Sequence, residues 1–452
     1  MAASTDAICF SRAGLLSWGQ FAADVAMLRP QIASASHICN LTSGRYEFMV
    51  GLAAAMLNKQ VSILPSAAAP QAIRDALRDT ERPLILGGET KHQGTFDQLI
   101  DIPRGMKPED AVETMSALSG SETEIHVFTS GSTKMPERRI KNWKTLVGGA
   151  AVTEEILRRL NIKPSTTAVL GTTPHQHMYG LEATVFLGLG GGYCVHDRAI
   201  FFPADIETAV AEAQASGFKK AVLVTSPAHL KFLEQAIIET PEICAVISAT
   251  APLPHAQADR LESRGDITVM EIYGSTETGS LGIRRTVDGD SWEPVAGFHL
   301  VKTVEGTRAS APHLSESCLL GDLIDLLPGN RFRLRGRTGD MIGIAGKRAN
   351  LSALNAILSE TPGLHDGVVL RRRTEGDDQL AVVAVLDPER EMTEETGKTV
   401  IRNQFLAHVD GVFAPRRICF VDSLPRSPTG KLTANDLHLL ERLVWGPDSH
   451  LI

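Results

Sequence analysis

The chain alternates short runs of β-branched and aliphatic residues with longer segments in which apolar residues recur at helical spacing. Strand candidates lie at 37–40, 61–64, 125–128, 168–170, 221–224 and 243–247. Between them lie helix candidates such as 143–160, with Asn142 as a plausible N-cap. This alternation predicts layers of helices and sheets, and therefore an α/β fold.

The pattern of apolar and turn residues changes after Gly321, where a hairpin-like stretch at 323–334 precedes a glycine-rich segment and a shorter α+β pattern. A chain of 452 residues also exceeds the size at which single hydrophobic cores stop growing. We therefore predict two domains, a large multi-layer α/β domain at 1–338 and a small α+β domain at 339–452.

Composition and charge exclude several classes of protein. The formal net charge of −8, without a long run of Lys or Arg, argues against a chain that coats nucleic acid. Six scattered cysteines without a C-x-x-C pair suggest neither a disulfide framework nor a zinc site. The stretch at 183–195 is shorter than the roughly 20 residues needed to span a bilayer. We predict a cytoplasmic protein that has no membrane span and binds no nucleic acid.

The strand candidate at 125–128 leads into the sequence T-S-G-S-T-K-M-P-E, which is rich in hydroxyls and contains a glycine. Such a loop can wrap phosphate oxygens with its backbone amides, but an ordinary polar turn has the same composition. Neither G-x-x-x-x-G-K-[ST] nor G-x-G-x-x-G occurs in the chain, so both common nucleotide-binding motifs are absent.

A second motif, Y-G-S-T-E-T-G at 273–279, follows the apolar run at 267–270 and is predicted to form a strand-end loop. The ring of Tyr273 can stack on a purine, and the hydroxyl of Thr276 can bond an α-phosphate. Glu277 can hold Mg²⁺, which usually takes one or two carboxylates together with substrate phosphates. A simple turn explains the glycines of this motif but not its other residues.

Two further motifs follow along the chain. Gly321–Asp322 precedes G-R-T-G-D at 336–340, and P-R-S-P-T-G-K lies at 425–431. The carboxylate of Asp322 can bridge ribose hydroxyls, and Lys431 can neutralise charge on a carboxylate that attacks phosphorus. Each of these residues taken alone is more often a solvated surface charge.

In this order the four motifs resemble those of the adenylate-forming superfamily of acyl-CoA synthetases, peptide-synthetase adenylation domains and luciferases. The resemblance extends from about residue 37 to residue 440. The family sequences T-S-G-S-T-G-x-P-K, Y-G-x-T-E, G-R-x-x-D and P-R-x-x-x-G-K correspond here to TSGSTKMPE, YGSTE, GRTGD and PRSPTGK. The resemblance implies a small C-terminal domain that is mobile.

The resemblance also implies a role for each matching residue. Lys431, His177 and Thr276 are the expected catalytic residues, and Glu277 is the expected Mg²⁺ ligand. The expected ATP-binding residues are Thr129, Ser130, Gly131, Ser132, Thr133, Lys134, Tyr273, Gly274, Thr276, Asp322 and Arg337. The expected acid pocket comprises His177, Thr250, Ala251, Gly274 and Ser275. For the neighbouring His175, a buried structural role is an equal alternative.

The chain departs from the family pattern at three positions. Lys134 and Glu137 stand where the family has Gly and Lys in the phosphate loop. Because a triphosphate beside an uncompensated Glu137 would be repelled, we hypothesise that Lys134 or Lys141 supplies the missing positive charge. Gly339 occupies the family's hinge position, and a glycine there suits a domain rotation, although a simple turn would also contain one.

The implied reaction activates a small-molecule carboxylic acid with ATP and Mg²⁺, releases pyrophosphate, and then forms a thioester. The acceptor is CoA or the phosphopantetheine of an acyl carrier protein, and the acid is an aryl acid such as a hydroxybenzoate, or a fatty acid. The sequence GKRANL at 346–351 is similar to compact aryl-polyene and xanthomonadin pathway ligases, which indicates pigment biosynthesis. A non-catalytic acyl- or nucleotide-binding protein and a luciferase-like oxidase remain alternatives.

Overall fold

The computed structural model describes residues 7–65, 69–87, 99–103, 111–129, 137–345, 347–372, 378–388, 390–427, 430 and 432–446. It has the predicted mixed α/β architecture, with a large N-terminal part and a smaller C-terminal part. By internal packing the larger unit comprises 1–289, 293–299 and 310–318, and the smaller unit comprises 290–292, 300–309 and 319–452. Packing does not define a hinge, so the boundary between residues 338 and 339 stays a prediction.

Strands and helices alternate along the described part of the chain. The strands are β1 Ala7–Ser11, β2 Gly14–Ser17, β3 His37–Asn40, β4 Val61–Leu64, β5 Pro83–Leu86, β6 Leu99–Ile100, β7 Ile125–Thr129, β8 Glu137–Lys141, β9 Thr167–Gly171, β10 Val195–His196, β11 Lys220–Thr225, β12 Ile243–Ser248, β13 Thr268–Ser275, β14 Gly279–Arg285, β15 Ser291–Pro294, β16 His299–Lys302, β17 Thr307–Ser310, β18 Cys318–Leu319, β19 Asp322–Leu327, β20 Arg331–Arg337, β21 Met341–Ile344, β22 Lys347–Asn350, β23 Leu364–Arg372, β24 Gln379–Leu386 and β25 Arg417–Phe420. The helices are α1 Trp18–Ile32, α2 Arg45–Leu57, α3 Pro70–Leu77, α4 Ala111–Ser119, α5 Trp143–Arg159, α6 Met178–Gly180, α7 Leu187–Gly191, α8 Pro203–Ala215, α9 Pro227–Ile238, α10 His255–Arg264, α11 Leu351–Ser359, α12 Glu394–His408 and α13 Ala434–Trp445.

The larger unit contains two sheets. One has the strand order β6-β5-β3-β4-β7-β8, in which β8 alone of the described strands is antiparallel to its neighbour. In the other, β1, β10, β9, β11, β12 and β13 run parallel, and β14 turns back against β13. The six strands predicted from sequence all belong to these two sheets.

Both faces of the parallel strands are buried, which explains their continuous apolar runs. Along β12, Val246 packs into the apolar cluster of α8, α9 and α10, whereas Ala245 and Ile247 pack into the cluster that includes α2 and α5. Successive side chains of a strand point to opposite faces, so this alternation shows helices on both sides of the sheet. The carboxyl ends of these strands meet at one edge, where ligands bind in folds of this class.

Helix α5 begins at the predicted N-cap. The side-chain oxygen of Asn142 accepts a hydrogen bond from the Thr145 backbone N–H at 3.0 Å, and the Thr145 hydroxyl lies 3.0 Å from the Asn142 backbone N–H. This reciprocal cap satisfies two backbone donors at the helix start. Its buried face packs against residues 181–191, whose first turn, Leu181–Phe186, is π-helical.

The smaller unit has its own core. The predicted hairpin at 323–334 is present as β19 and β20, and β24 lies between β23 and β25 in a separate sheet. Helices α11 and α12 pack on one side of that sheet around Leu354 and Phe405. Helix α13 packs on the other side through Leu440 and Val444.

All six cysteines are free. Among the described residues, no helix combines the length and the apolarity needed to cross a membrane.

Candidate active site

The second sequence motif lies on the hairpin formed by β13 and β14. Tyr273 and Gly274 belong to β13, which runs to Ser275 before the chain turns. The sequence predicted a strand-end loop at 273–279, but β13 continues to Ser275 because Tyr273 pairs with Gly282 of β14. The first three residues of the predicted loop therefore belong to the strand, and the turn is confined to 276–278.

Residues 276–278 form the turn of this hairpin, and Gly279 closes it. Gly279 has φ +73°, in the left-handed region, and an added Cβ would lie 2.3 Å from Oε1 of Glu182, so only glycine fits. On the other side, the Ser275 hydroxyl accepts a hydrogen bond from the Thr278 backbone N–H at 3.3 Å. The turn that carries the predicted Mg²⁺ ligand is therefore held at both ends.

Thr276 and Glu277 lie in this turn, and the Glu277 side chain is 39% exposed. Burial would raise the pKa of the Glu277 carboxyl, but other contacts outweigh it. Hydrogen bonds from its own backbone N–H and the Ser275 hydroxyl, with the charges of Arg139 and Lys141, lower the pKa below its usual value. The carboxylate is therefore ionised at neutral pH and accessible to a cation.

Arg139 of β8 bridges the carboxylates of Glu137 and Glu277. Its Nη2 lies 2.6 Å from Oε2 of Glu137 and 3.0 Å from Oε1 of Glu277. From the sequence we hypothesised that Lys134 or Lys141 supplies the positive charge that a triphosphate beside Glu137 requires. The structure pairs Glu137 with Arg139. Lys134 lies outside the described residues, so the hypothesis that Lys134 or Lys141 serves the triphosphate stays a prediction.

Lys141, two residues further along β8, is only 5% exposed. Its Nζ donates a 2.7 Å hydrogen bond to the backbone carbonyl oxygen of Glu277. Burial lowers the pKa of Lys141, against an opposing effect of the carboxylates of Glu182 and Glu277 and the Cys318 thiol. Lys141 therefore holds the backbone of the turn from the buried side.

Arg139 and Glu182 were not indicated by any sequence motif. Arg139 is one of several charged residues in a short strand, and only the pairing of β8 with β7 places it beside the turn. Glu182 is the last charged residue before the apolar stretch at 183–195, and this position is a sequence signal that could have identified it. A carboxylate inside an apolar segment must find buried partners, so its position could have marked it as unusual.

His175 and His177 lie in different environments. His175 is 3% exposed, its Nε2 lies 3.0 Å from the carbonyl oxygen of Thr42, and its ring centroid lies 4.6 Å from that of Phe48. Burial, followed by the charge of Arg45, lowers the pKa of His175 to about 3, so its ring is neutral. These contacts favour the structural alternative for His175. His177 is partly exposed at the start of α6.

Thr250 and Ala251 follow the carboxyl end of β12. Thr250 has φ +82°, a conformation that is strained for a β-branched residue. Its hydroxyl oxygen is buried and has no hydrogen-bond partner among the described residues, while Ala251 is exposed. Strain and an unpaired hydroxyl are typical of ligand sites, and the pocket role of both residues stays a prediction.

Asp322 and Arg337, the expected ribose residues, are cross-strand neighbours in the smaller unit. They pair directly between β19 and β20, with Oδ1 of Asp322 3.9 Å from Nε of Arg337. Gly339 lies in the following turn, and its carbonyl oxygen accepts a hydrogen bond from Nη1 of Arg371 at 3.2 Å. Its φ is not left-handed, so this conformation does not itself require glycine, and the hinge stays a prediction.

The remaining predicted residues are only partly described. The backbone of Thr129 ends β7 opposite Glu137. Ser130, Gly131, Ser132, Thr133, Lys134 and Lys431 lie outside the described residues, so their roles stay predictions.

The described residues contain no cluster of three or more His, Cys, Asp or Glu side chains that could cage a metal ion. Mg²⁺ does not need such a cage, because it usually binds one or two carboxylates, water and substrate phosphates. A single ionised and accessible Glu277 fits that requirement. Its carboxylate already contacts Arg139, so a metal ion would share this ligand with the guanidinium.

Comparisons with known proteins give relatives along most of the chain, although no family model matches it. The 4-coumarate–CoA ligase of Rhodobacter capsulatus is 28% identical over 316 residues, which is 69% of this chain and 75% of that protein. The 4-coumarate–CoA ligase of Halorhodospira halophila is 25% identical over 358 residues, covering 75% of this chain and 82% of that protein.

Solved structures share the fold over nearly the whole chain. ATP-bound MatB from Rhodopseudomonas palustris has a TM-score of 0.75 and 16% identity, covering 97% of this chain and 96% of that one. The anthranilate CoA ligase AuaEII in complex with anthranoyl-AMP has a TM-score of 0.75 and 15% identity, covering 97% and 95%. At this identity the likeness shows the fold alone.

Proposed function

Since its sequence relatives and its whole-chain fold support a place in the adenylate-forming acyl-CoA ligase superfamily, we propose that this chain is an ATP-dependent acid–thiol ligase. The acid reacts with ATP to give an acyl-adenylate and pyrophosphate. A thiol then displaces AMP and gives a thioester.

The observation that carries the proposal is the β13–β14 turn. It places an ionised, accessible carboxylate, Glu277, next to the hydroxyl-bearing Thr276, at the end of a parallel strand where ligands of α/β folds bind. A polar turn without a function would not require a carboxylate close to the positive charges of Arg139 and Lys141. The motif residues and the geometry therefore support the same assignment.

The first half-reaction needs charge neutralisation more than a general base, because the substrate carboxylate is already a nucleophile. Its oxygen forms a bond to the α-phosphorus, and the bond between that phosphorus and the bridging oxygen breaks, so the electron pair leaves with pyrophosphate. Thr276 donates a hydrogen bond to the α-phosphate, and Glu277 would hold the metal ion. Mg²⁺, when bound, neutralises charge on the phosphate oxygens.

The remaining roles follow from the resemblance. Residues 129–134 enclose the β- and γ-phosphates, Tyr273 and Gly274 border the adenine, and Asp322 with Arg337 binds the ribose. Lys431 neutralises the attacking carboxylate in the first half-reaction. The smaller domain, 339–452, then rotates about Gly339 to admit the thiol.

We assign the substrate to the aryl acids. The two relatives are named for 4-coumarate, and a fold neighbour holds anthranoyl-AMP, so aryl acids recur among similar proteins. The likeness of 346–351 to aryl-polyene and xanthomonadin pathway ligases favours a hydroxyaryl acid. The pocket of His177, Thr250, Ala251, Gly274 and Ser275 would receive it. CoA is the favoured thiol, and carrier-protein phosphopantetheine is the alternative acceptor.

Acid-dependent exchange of pyrophosphate into ATP tests the proposal. A panel of hydroxybenzoates, cinnamates and fatty acids should give exchange with at least one aryl acid and weak exchange with fatty acids. Adding CoA or a holo carrier protein should then produce AMP and thioester in equal amounts. ATP binding without exchange for any acid would favour the non-catalytic alternative and overturn the ligase.

A further inference from the structure

Glu182 is a fully buried carboxylate in the π-helical turn that follows α6. Its Oε2 accepts hydrogen bonds from the Ser280 backbone N–H at 2.9 Å and the Ser280 hydroxyl at 2.7 Å. Ser280 is the first residue after the glycine that closes the β13–β14 turn. Glu182 thus fixes the start of the strand that leaves the turn.

The surrounding backbone is shaped to admit this carboxylate. A Cβ added at Gly149 of α5 would lie 1.9 Å from Oε1 of Glu182, and one added at Gly279 would lie 2.3 Å from it. Oε1 itself is buried and has no hydrogen-bond partner among the described residues. Helix α5 and the β13–β14 hairpin therefore both have a glycine next to Oε1, which makes no hydrogen bond among the described residues. Packing alone does not explain this arrangement.

Lys141 acts on the same turn from another element. Its Nζ donates to the Glu277 carbonyl oxygen, and its charge and that of Glu182 stabilise each other. Burying a cation and a carboxylate costs more than an apolar pair of similar volume would, so the pair is poorly explained by stability. Lys141 thus holds Glu277 within the turn, and Glu182 holds Ser280, which follows the turn.

We propose that Glu182 and Lys141 are positioning residues that fix the Thr276–Glu277 turn in the geometry needed to bind MgATP. The inference rests on the proposed function, because it assigns the turn to MgATP. Neither side chain touches substrate. Lys141 acts through the Glu277 carbonyl group, and Glu182 acts through Ser280 and through the charge of Lys141.

The double variant Lys141→Met/Glu182→Gln tests the proposal without leaving an uncompensated buried charge. Each single change leaves one charged partner buried alone and is expected to lower Tm, whereas the double variant should unfold within a few degrees of the wild type. It lacks the lysine donor, so its KM for MgATP should rise about tenfold, as expected for one lost charge-assisted hydrogen bond. Its KM for the acid should stay unchanged.

A matched control lies at the far end of the same hairpin. Glu271 is buried and forms an ion pair with the partly buried Arg284, whose Nε lies 2.6 Å from Oε2 of Glu271. Glu271→Gln/Arg284→Met also removes two charges from the hairpin. It should leave the KM for MgATP at the wild-type value, which separates positioning of the turn from general stability of the hairpin.

Hydrogen exchange supplies a second readout that does not depend on activity. The backbone amides of 275–281 should exchange faster in Lys141→Met/Glu182→Gln than in the wild type, and those amides should keep wild-type rates in the Glu271/Arg284 control. Wild-type exchange rates together with a wild-type KM for MgATP in the double variant would overturn the proposal. A wild-type protein without acid activation refutes the proposed ligase instead, and hydrogen exchange still decides whether the pair orders the turn.

Discussion

The guanidinium of Arg139 lies 3.0 Å from Oε1 of Glu277, so strand β8 of one sheet and the β13–β14 turn of the other are joined by an ion pair at the candidate ATP site. The same guanidinium contacts Glu137, which stands where the resemblance implies a lysine. The arginine thereby compensates a carboxylate that would otherwise repel a triphosphate. Glu137 and Glu277 share one cation but are expected to have different functions.

The first prediction separates these two carboxylates. Glu277→Gln removes the proposed metal ligand, so the Mg²⁺ concentration for half-maximal activity should rise at least about tenfold and kcat/KM should fall about 10²-fold. Glu137→Gln is the matched control, because it removes the other partner of Arg139 without touching the metal ligand. Its Mg²⁺ requirement should be unchanged, and its ATP affinity should be equal or tighter. Initial rates against free Mg²⁺ provide the measurement, and equal Mg²⁺ curves for all three proteins would contradict the metal role.

The second prediction concerns the two histidines before α6. His177→Ala should lower kcat/KM for the acid with little change in Tm, whereas His175→Ala should destabilise the fold by about 2 kcal/mol or more through lost packing and hydrogen bonding. Thermal melting and the exchange assay measure both effects. A stable His175→Ala protein with impaired acid binding would reverse the assignment.

The protonation of His175 gives an independent check. Because burial lowers its pKa to about 3, its ring should stay neutral from pH 8 to pH 5 in NMR spectra. In the unfolded chain the same ring gains a proton near its usual value of about 6.5. The unfolded state then binds more protons below that pH, so this histidine lowers folding stability as pH falls from about 6.5 toward 3.

The third prediction uses the pH dependence of stability. Burial raises the pKa of Glu182 to about 7, against lowering by the Ser280 hydrogen bonds and Lys141. Between the unfolded value near 4.5 and the folded value, the folded state binds more protons. The contribution of Glu182 to unfolding free energy therefore falls as pH rises through this window, by at most about 1.4 kcal/mol per pH unit.

Glu182→Gln should remove this dependence. Unfolding measured from pH 5 to pH 8 should show the wild type losing stability relative to the variant as pH rises. Parallel pH profiles for the two proteins would mean that Glu182 does not titrate in the folded state within this range.

The fourth prediction concerns Lys431. Lys431→Ala should slow acyl-adenylate formation by about 10² to 10³, as for removal of one group that stabilises developing charge. Thioester formation from chemically supplied acyl-adenylate should continue at the wild-type rate, because that half-reaction does not use this lysine. Lys398→Ala removes a partly exposed lysine paired with Glu395 and serves as the control. Equal losses in both half-reactions would refute the assignment.

The sequence by itself determined the α/β class, the strands at the two sheets and the start of α5, because these depend on local apolar periodicity and on one capping side chain. It also marked Tyr273, Thr276, Glu277, Asp322 and Arg337, since their spacing follows a motif. It assigned residues 273–275 to a loop although they belong to β13, because the length of β13 depends on its pairing with β14.

Only the tertiary structure decided how the charges are compensated. Lys141 and Glu277 are 136 residues apart, and Glu182 and Ser280 are 98 apart. Which side chains meet over such separations depends on strand order and register, which local patterns do not encode. The sequence therefore identified the residues of the β13–β14 turn. The packing of β8 and of the π-helical segment against this turn determined that Arg139, Lys141 and Glu182 contact it.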